Sequence, residues 1–270
     1  MRKHITSTSN PIVKELVKLS KRSRRDTDGR FIIEGYRPIT RALEAGFKLE
    51  ELFFSPEWFL GKNEMKVVEQ AEKNGTPITK LSKAAFAKIA YRDSPEGLIG
   101  IGKQWQTTLN DLKLSENPYV IVLESIEKPG NLGTILRSAD ATGAEAVIVC
   151  DPVTDVFNPN VVRSSTGVLF KMQIATATSK DMLAFCKTHG IRTLAATPHT
   201  ENLYTEVDLT SPIAIVMGSE QFGLSETLME ACDLKVKMPM LGMADSLNVS
   251  AATVVLAYEV VRQRTLNLNK

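Results

Sequence analysis

The sequence predicts an α/β protein: a mostly parallel sheet in its C-terminal half, preceded by a smaller α/β unit. Three observations predict it. Short apolar runs alternate with helix-period segments along most of the 270 residues. The runs at 120–123, 146–149 and 213–217 are apolar at every position, as strands covered on both faces are. Residues 104–118 are polar without periodicity and divide two such alternating stretches.

In chain order, Asn10-Pro11 reads as a helix start, with Asn10 as cap and proline at the first helical position. Ile12, Leu16 and Leu19 share one face of a short basic helix. Residues 22–29 are polar and read as a loop. Residues 31–33, 52–54, 78–81 and 98–101 read as strands, and 39–45, 65–73 and 83–89 as helices; Gly46, Pro56 and Gly75 act as stops. In the second half, 120–123, 146–149, 193–196, 213–217 and 234–238 read as strands. Residues 132–141, 161–165, 182–188, 224–232 and 248–264 read as helices. The expected organisation is a basic segment at 1–28, a small α/β domain at 29–103, a linker at 104–118 and a second α/β domain at 119–270.

Composition excludes several classes. Hydrophobic residues at 43% and charged residues at 24% are those of a globular protein. No apolar run approaches the ~20 residues of a membrane span, and no apolar signal core follows the basic start, so a cytoplasmic location is expected. Cys150, Cys186 and Cys232 are odd in number and widely spaced, which fits buried thiols better than disulfides or zinc. His4, His189 and His199 stand at no metal-ligand spacing, and no metal is expected. The glycine fingerprint of dinucleotide sites, the phosphate-binding loop and the nucleophile elbow are all absent.

The net charge of +2 hides an asymmetry. Residues 1–30 hold nine Lys and Arg against three Asp and Glu, while the remainder holds 24 against 28. A basic segment beside a near-neutral body is the footprint of a polyanion partner, with a solvated helix face as the alternative. Lys18, Lys21, Arg22, Arg24, Arg25 and Arg30 are the contact candidates.

Three polar clusters follow strands of the second half. In the first, Pro129-Gly130 turns the chain, Asn131 caps a helix, and Arg137 falls among Ile135, Leu136 and Ala139. Such an arginine needs a partner. An internal salt bridge and a substrate oxygen held by the guanidinium fork both remain open. In the second, Gly218 and Gly223 bracket Glu220 at the carboxyl end of an apolar strand, where open α/β sheets bind ligands. In the third, Met238-Pro239-Met240 leads to Ser246-Leu247-Asn248 ahead of the longest helix, whose cap could be Ser246 or Asn248. The methionines are core, or soft walls for an adenine or sulfonium.

The ordered set Asn131-Leu-Gly-Thr-Ile-Leu-Arg137, Met217-Gly-Ser-Glu-Gln-Phe-Gly-Leu224 and Met238-Pro-Met240 with Ser246-Leu-Asn-Val-Ser250 resembles the SpoU family of RNA 2′-O-ribose methyltransferases, in the SPOUT superfamily. Residues 31–102, with the turn Glu34-Gly35-Tyr36-Arg37, resemble the substrate-binding domain often fused in front. The resemblance implies a trefoil knot in the C-terminal domain and S-adenosylmethionine as methyl donor. It places the donor against Thr197, Gly218, Met238, Met240 and Leu247. It puts Asn131, Arg137, Glu220, Ser246 and Asn248 in the active site, and implies a homodimer. It implies structured RNA as substrate, ribosomal RNA ahead of transfer RNA. A non-catalytic RNA-binding protein on the same fold is the competing reading. The segment Glu124-Ser-Ile-Glu127-Lys128 departs from the Asp-Pro common near that turn in relatives, and is expected to alter the loop alone.

Overall fold

A computed structural model describes residues 2–268. The chain divides into two compact units, Met1–Trp105 with Asp155–Lys171, and Gln106–Thr154 with Met172–Lys270.

The first unit begins with β1 (Lys3–Ile5), α1 (Pro11–Lys18) and α2 (Arg22–Asp28), followed by β2 (Arg30–Glu34) and α3 (Tyr36–Glu44). Then come β3 (Glu51–Phe54), α4 (Glu64–Lys73), β4 (Ile78–Leu81), α5 (Lys83–Ile89) and β5 (Leu98–Lys103). Its sheet runs β1-β4-β3-β5-β2, parallel from β1 to β3 and antiparallel about β5. Asn10 caps α1 as expected, its side chain accepting from the Ile12 amide at 2.9 Å. Val13, Leu16 and Leu19 bury their stripe against Phe53, Leu81 and Phe86. Residues 22–28 form a helix, not the expected loop, because Arg25 turns inward. It is 1% exposed, donates to the carbonyls of Leu19 and Ser20, and pairs with Asp155 at 2.6 Å. β1 carries no periodicity that three residues could reveal; it exists through pairing with β4.

The second unit opens with β6 (Tyr119–Glu124), α6 (Pro129–Ala141) and β7 (Ala146–Cys150). Residues 155–171, carrying α7 (Pro159–Ser164), belong to the first unit, a correction to the expected continuous domain. The cause is aromatic: Phe157 and Phe170 meet the Phe31 ring at centroid distances of 4.8 and 6.3 Å. Arg41 adds hydrogen bonds to the Thr166 carbonyl and hydroxyl. The chain then continues through β8 (Gln173–Ala177), α8 (Ser179–Thr188), β9 (Arg192–Ala196), β10 (Ile213–Met217), α9 (Glu226–Ala231), β11 (Leu234–Val236) and α10 (Val249–Leu268).

The six-stranded sheet runs β11-β9-β10-β6-β7-β8 and is parallel at every pairing. β6, β7 and β10 are buried along their whole length, which is why they read as unbroken apolar runs. β8 is missing from the sequence reading because Gln173 and Thr176 leave only Ile174 and Ala175 as an apolar pair between them. Most of the expected linker is no free tether. From Gln106 on it belongs to the second unit, and Leu109, Leu112 and Leu114 pack on that core. The Thr107 carbonyl accepts from the Thr176 amide, covering the β8 edge. Cys150, Cys186 and Cys232 are buried free thiols, and burial raises the pKa of each. No helix among the described residues is long and apolar enough to cross a membrane.

Candidate active site

The three polar clusters meet at the carboxyl end of the second unit's sheet. Strand order explains the convergence: β11, β9, β10 and β6 lie side by side and run parallel, so the loops after them leave the same edge of the sheet. They border a cleft of about 560 Å³. Thr197, Gly218, Met238, Met240 and Leu247 line it, as do Glu220, Ser246 and Asn248.

The loop after β10 is closed on itself. Ser219 and Gly223 exchange backbone hydrogen bonds at 2.9 and 3.1 Å. A Cβ on Gly218 would lie 2.1 Å from the Gly223 carbonyl carbon, and Gly223 has φ +70°. Both positions therefore demand glycine for the turn itself, before any ligand is considered. Beneath the turn, the Glu124 carboxylate at the end of β6 accepts from the Ser225 amide at 2.8 Å and hydroxyl at 2.7 Å. Ser225 in turn caps α9. The loop is thus pinned at both ends.

Glu220 is the centre of the arrangement. Its carboxylate accepts from the backbone amides of Glu127 (2.9 Å) and Lys128 (3.1 Å) and from Asn131 Nδ2 (2.7 Å). Burial alone would raise its pKa, but these donors outweigh burial and hold it below the ordinary glutamate value. A carboxylate only accepts, so it forces the Asn131 amide nitrogen toward it and turns Oδ1 the other way. That Oδ1 accepts from Asn248 Nδ2 at 3.2 Å. Asn248 Oδ1 then accepts from the Ser250 amide at 3.0 Å, in the first turn of α10. One carboxylate thereby orients two amides from segments 117 residues apart.

Two expectations need correction here. Asn131 does not cap its helix; α6 begins two residues earlier, at Pro129, and the Asn131 side chain is free to turn to Glu220. Arg137 is exposed on α6, is not among the residues lining the cleft, and makes no hydrogen bond or ion pair among the described residues. Its apolar sequence neighbours face inward while it faces out, so no internal salt bridge forms. Of the third cluster, Asn248 is the residue whose side chain caps α10, while Ser246 lies exposed on the rim. The sequence reading missed Lys128, His199, Phe222 and Asp245 as lining residues. Phe222 carried the one available signal, an aromatic on a glycine-bounded loop, and it stands 79% exposed.

The basic segment behaves differently. Arg25 is buried, so it is no contact residue. Lys18 and Arg24 pair with Glu15 at 2.6 and 3.0 Å, and Arg24 also meets Asp28 at 2.8 Å. Arg22 meets Asp26 at 3.5 Å and Arg30 meets Glu50 at 2.6 Å. Lys21 is exposed. No group of three or more His, Cys, Asp or Glu residues able to hold a metal occurs among the described residues.

The cleft suits a nucleoside sulfonium cofactor. Met238, Met240 and Leu247 offer soft apolar walls, and the closed 218–223 turn borders the same cleft.

Comparison with known proteins agrees in both units. The family model for the SpoU rRNA methylase family matches residues 118–258, more than half of the chain, and one for an MRM3-like substrate-binding domain matches residues 10–100. The chain is 28% identical to the 23S rRNA (guanosine(2553)-2′-O)-methyltransferase RlmP of Bacillus subtilis, covering 96% of this chain and 99% of that one. A crystal structure of an RNA 2′-O ribose methyltransferase superposes at a TM-score of 0.86 with 42% identity, over 97% of this chain and 99% of the other. An S-adenosylmethionine-bound rRNA methyltransferase from Sinorhizobium meliloti superposes at 0.87 with 31% identity, over 96% and 97%. With its three motifs gathered at one sheet edge and a family match spanning the second unit, the chain belongs to the SpoU rRNA methylase family.

Proposed function

We propose that this protein transfers a methyl group from S-adenosylmethionine to a ribose 2′-hydroxyl of RNA, with 23S-type ribosomal RNA as substrate, in the cytoplasm. The observation that carries this reading is the chain of oriented amides from Glu220 through Asn131 to Asn248 on the rim of the cleft. The relatives' activities support the substrate class.

When bound, S-adenosylmethionine supplies an electrophilic methyl group on a sulfonium. Thr197, Gly218, Met238, Met240 and Leu247 hold it. Asn131, Ser246 and Asn248 position the ribose, and Glu220 keeps the amide of Asn131, and through it that of Asn248, from rotating, so their orientation is set before RNA arrives. Arg137 grips the RNA phosphate and stabilises the developing alkoxide; a guanidinium that stays charged is a poor base. The SpoU fold carries the expectation of a trefoil knot through the loops around the cleft.

A homodimer completes this reading. Arg137 stands free and exposed away from the cleft lining, where a second subunit would bring it to a site. Large apolar side chains also face outward: Leu241 is 97% exposed, Met243 101% and Tyr258 52%. Such a concentration suits a subunit interface.

The experiment is transfer of tritiated methyl from S-adenosylmethionine to ribosomal RNA, followed by alkaline hydrolysis. Label is expected in alkali-resistant 2′-O-methyl dinucleotides; label on a base, or none, overturns the proposal. Arg137→Ala is expected to abolish transfer while calorimetry still detects S-adenosylhomocysteine. Loss of that binding would contradict the role given to Arg137.

A further inference from the structure

The first unit holds a second cavity of about 590 Å³, within the ~300–1,000 Å³ usual for small-molecule sites. It is a groove between α3 and α4. Tyr36, Thr40 and Leu43 recur at three- and four-residue spacing on α3, and Asn63, Lys66, Val67 and Gln70 do so along α4, so each helix presents one face to it. The floor is apolar, with Val67 only 7% exposed. The walls are polar.

The Thr40 hydroxyl donates to the Tyr36 carbonyl at 2.8 Å, but other polar groups of these walls are left unspent by the fold. Asn63 stands at the cap position of α4, yet its side chain caps nothing. Lys66 is exposed and forms no ion pair among the described residues, unlike Lys18, Arg24 and Arg30. Gln70 spends its amide nitrogen on Asn74 Oδ1 at 3.0 Å, which leaves its carbonyl oxygen free. Tyr36 lines the groove from a backbone held in place. Gly35 has φ +105°, and the Tyr36 amide donates to Glu96 Oε2 at 3.1 Å. Glu96 is itself held by Arg92. One acid, Glu44, also faces the groove and can accept from base N–H groups.

An aromatic face, two amide side chains, a lone cation and an apolar floor together match one unstacked nucleotide. The ring stacks on the base, the amides read its edge and the ammonium meets a phosphate. We propose that the α3–α4 groove binds a single unpaired RNA nucleotide outside the reaction centre. This rests on the reading that the protein acts on RNA, and it moves RNA recognition from the paired basic segment to a groove whose cation is free.

The test uses the full-length protein and a ten-nucleotide single-stranded RNA carrying one central 2-aminopurine, beside a duplex of the same sequence. Binding of the single strand is expected to change the fluorescence of the 2-aminopurine as it stacks on the ring, quenching it; the duplex, in which stacking already quenches it, is expected to show no further change on adding protein. Tyr36→Leu should abolish quenching and weaken affinity about tenfold. Lys66→Glu, an exposed change that spares the fold, should weaken affinity severalfold and flatten its salt dependence. Equal affinity and quenching in both variants overturns the groove. Methyl transfer to ribosomal RNA, measured in parallel on the unmodified protein, separates the two ideas. If transfer proceeds while the variants bind normally, the groove fails and the enzyme stands; if no transfer occurs yet the groove quenches, the reverse holds.

Discussion

The cleft of the second unit and the basic segment of the first were both flagged by charged or polar residues, and they turned out opposite in kind. Around the cleft, residues far apart in sequence meet on one carboxylate, and neutral donors satisfy it. In the basic segment, most of the candidate cations are paired with acids, and the one most deeply set, Arg25, is a structural tie. The contrast teaches that an excess of like charge describes a composition. A site requires polar groups that the fold brings together and leaves oriented toward open space.

The largest expected effect tests the structural half of that contrast. Arg25→Ala leaves Asp155 without its partner and strips two carbonyls of theirs, and should cost about 3–5 kcal/mol. Urea unfolding would measure it. A loss under about 1 kcal/mol would mean that Arg25 is no internal tie and restore it to the surface set. Next, Glu220→Gln replaces an acceptor-only group by one that also donates, so the Asn131 amide loses its enforced orientation. Methyl transfer should fall about 100-fold with S-adenosylhomocysteine affinity little changed. Unchanged transfer would show that the oriented amides are idle.

The same carboxylate carries a pH expectation. Its folded pKa lies below the ordinary value, so its contribution is complete above that value and fades only as pH falls through the lower folded one. Any acid loss of activity owed to Glu220 therefore sets in below the usual glutamate range. A titration midpoint above that range would assign the loss elsewhere. The smallest effects belong to the paired surface cations. Lys18→Ala and Arg24→Ala should each change stability by less than about 0.5 kcal/mol. The slope of log RNA affinity against log salt should stay put, whereas a true phosphate contact would lower it by about one. A fall of that size would return them to the RNA surface.

Much of the fold was written plainly in the chain. Continuous apolar runs announced β6, β7 and β10 because both faces of those strands are covered, and Asn10-Pro11 marked the start of α1. Elements missed or misread were those whose existence depends on partners. β8 has a broken apolar pattern and is completed by its neighbours, and α2 coils because Arg25 is drawn inward to Asp155, 130 residues away. The motifs at 131, 220 and 248 were legible as residue types, but their hydrogen bonds were not.

By itself the sequence determined the class of fold, the three polar clusters and their family. These follow from local periodicity and from residue order, both of which the chain carries without folding. Only the tertiary structure decided that residues 155–171 serve the first unit, that Asn131 turns to Glu220 instead of capping its helix, and that Arg137 faces outward. Each of these depends on which distant group lies within hydrogen-bonding or packing range. That distance is set by strand order and aromatic packing, which linear spacing does not record.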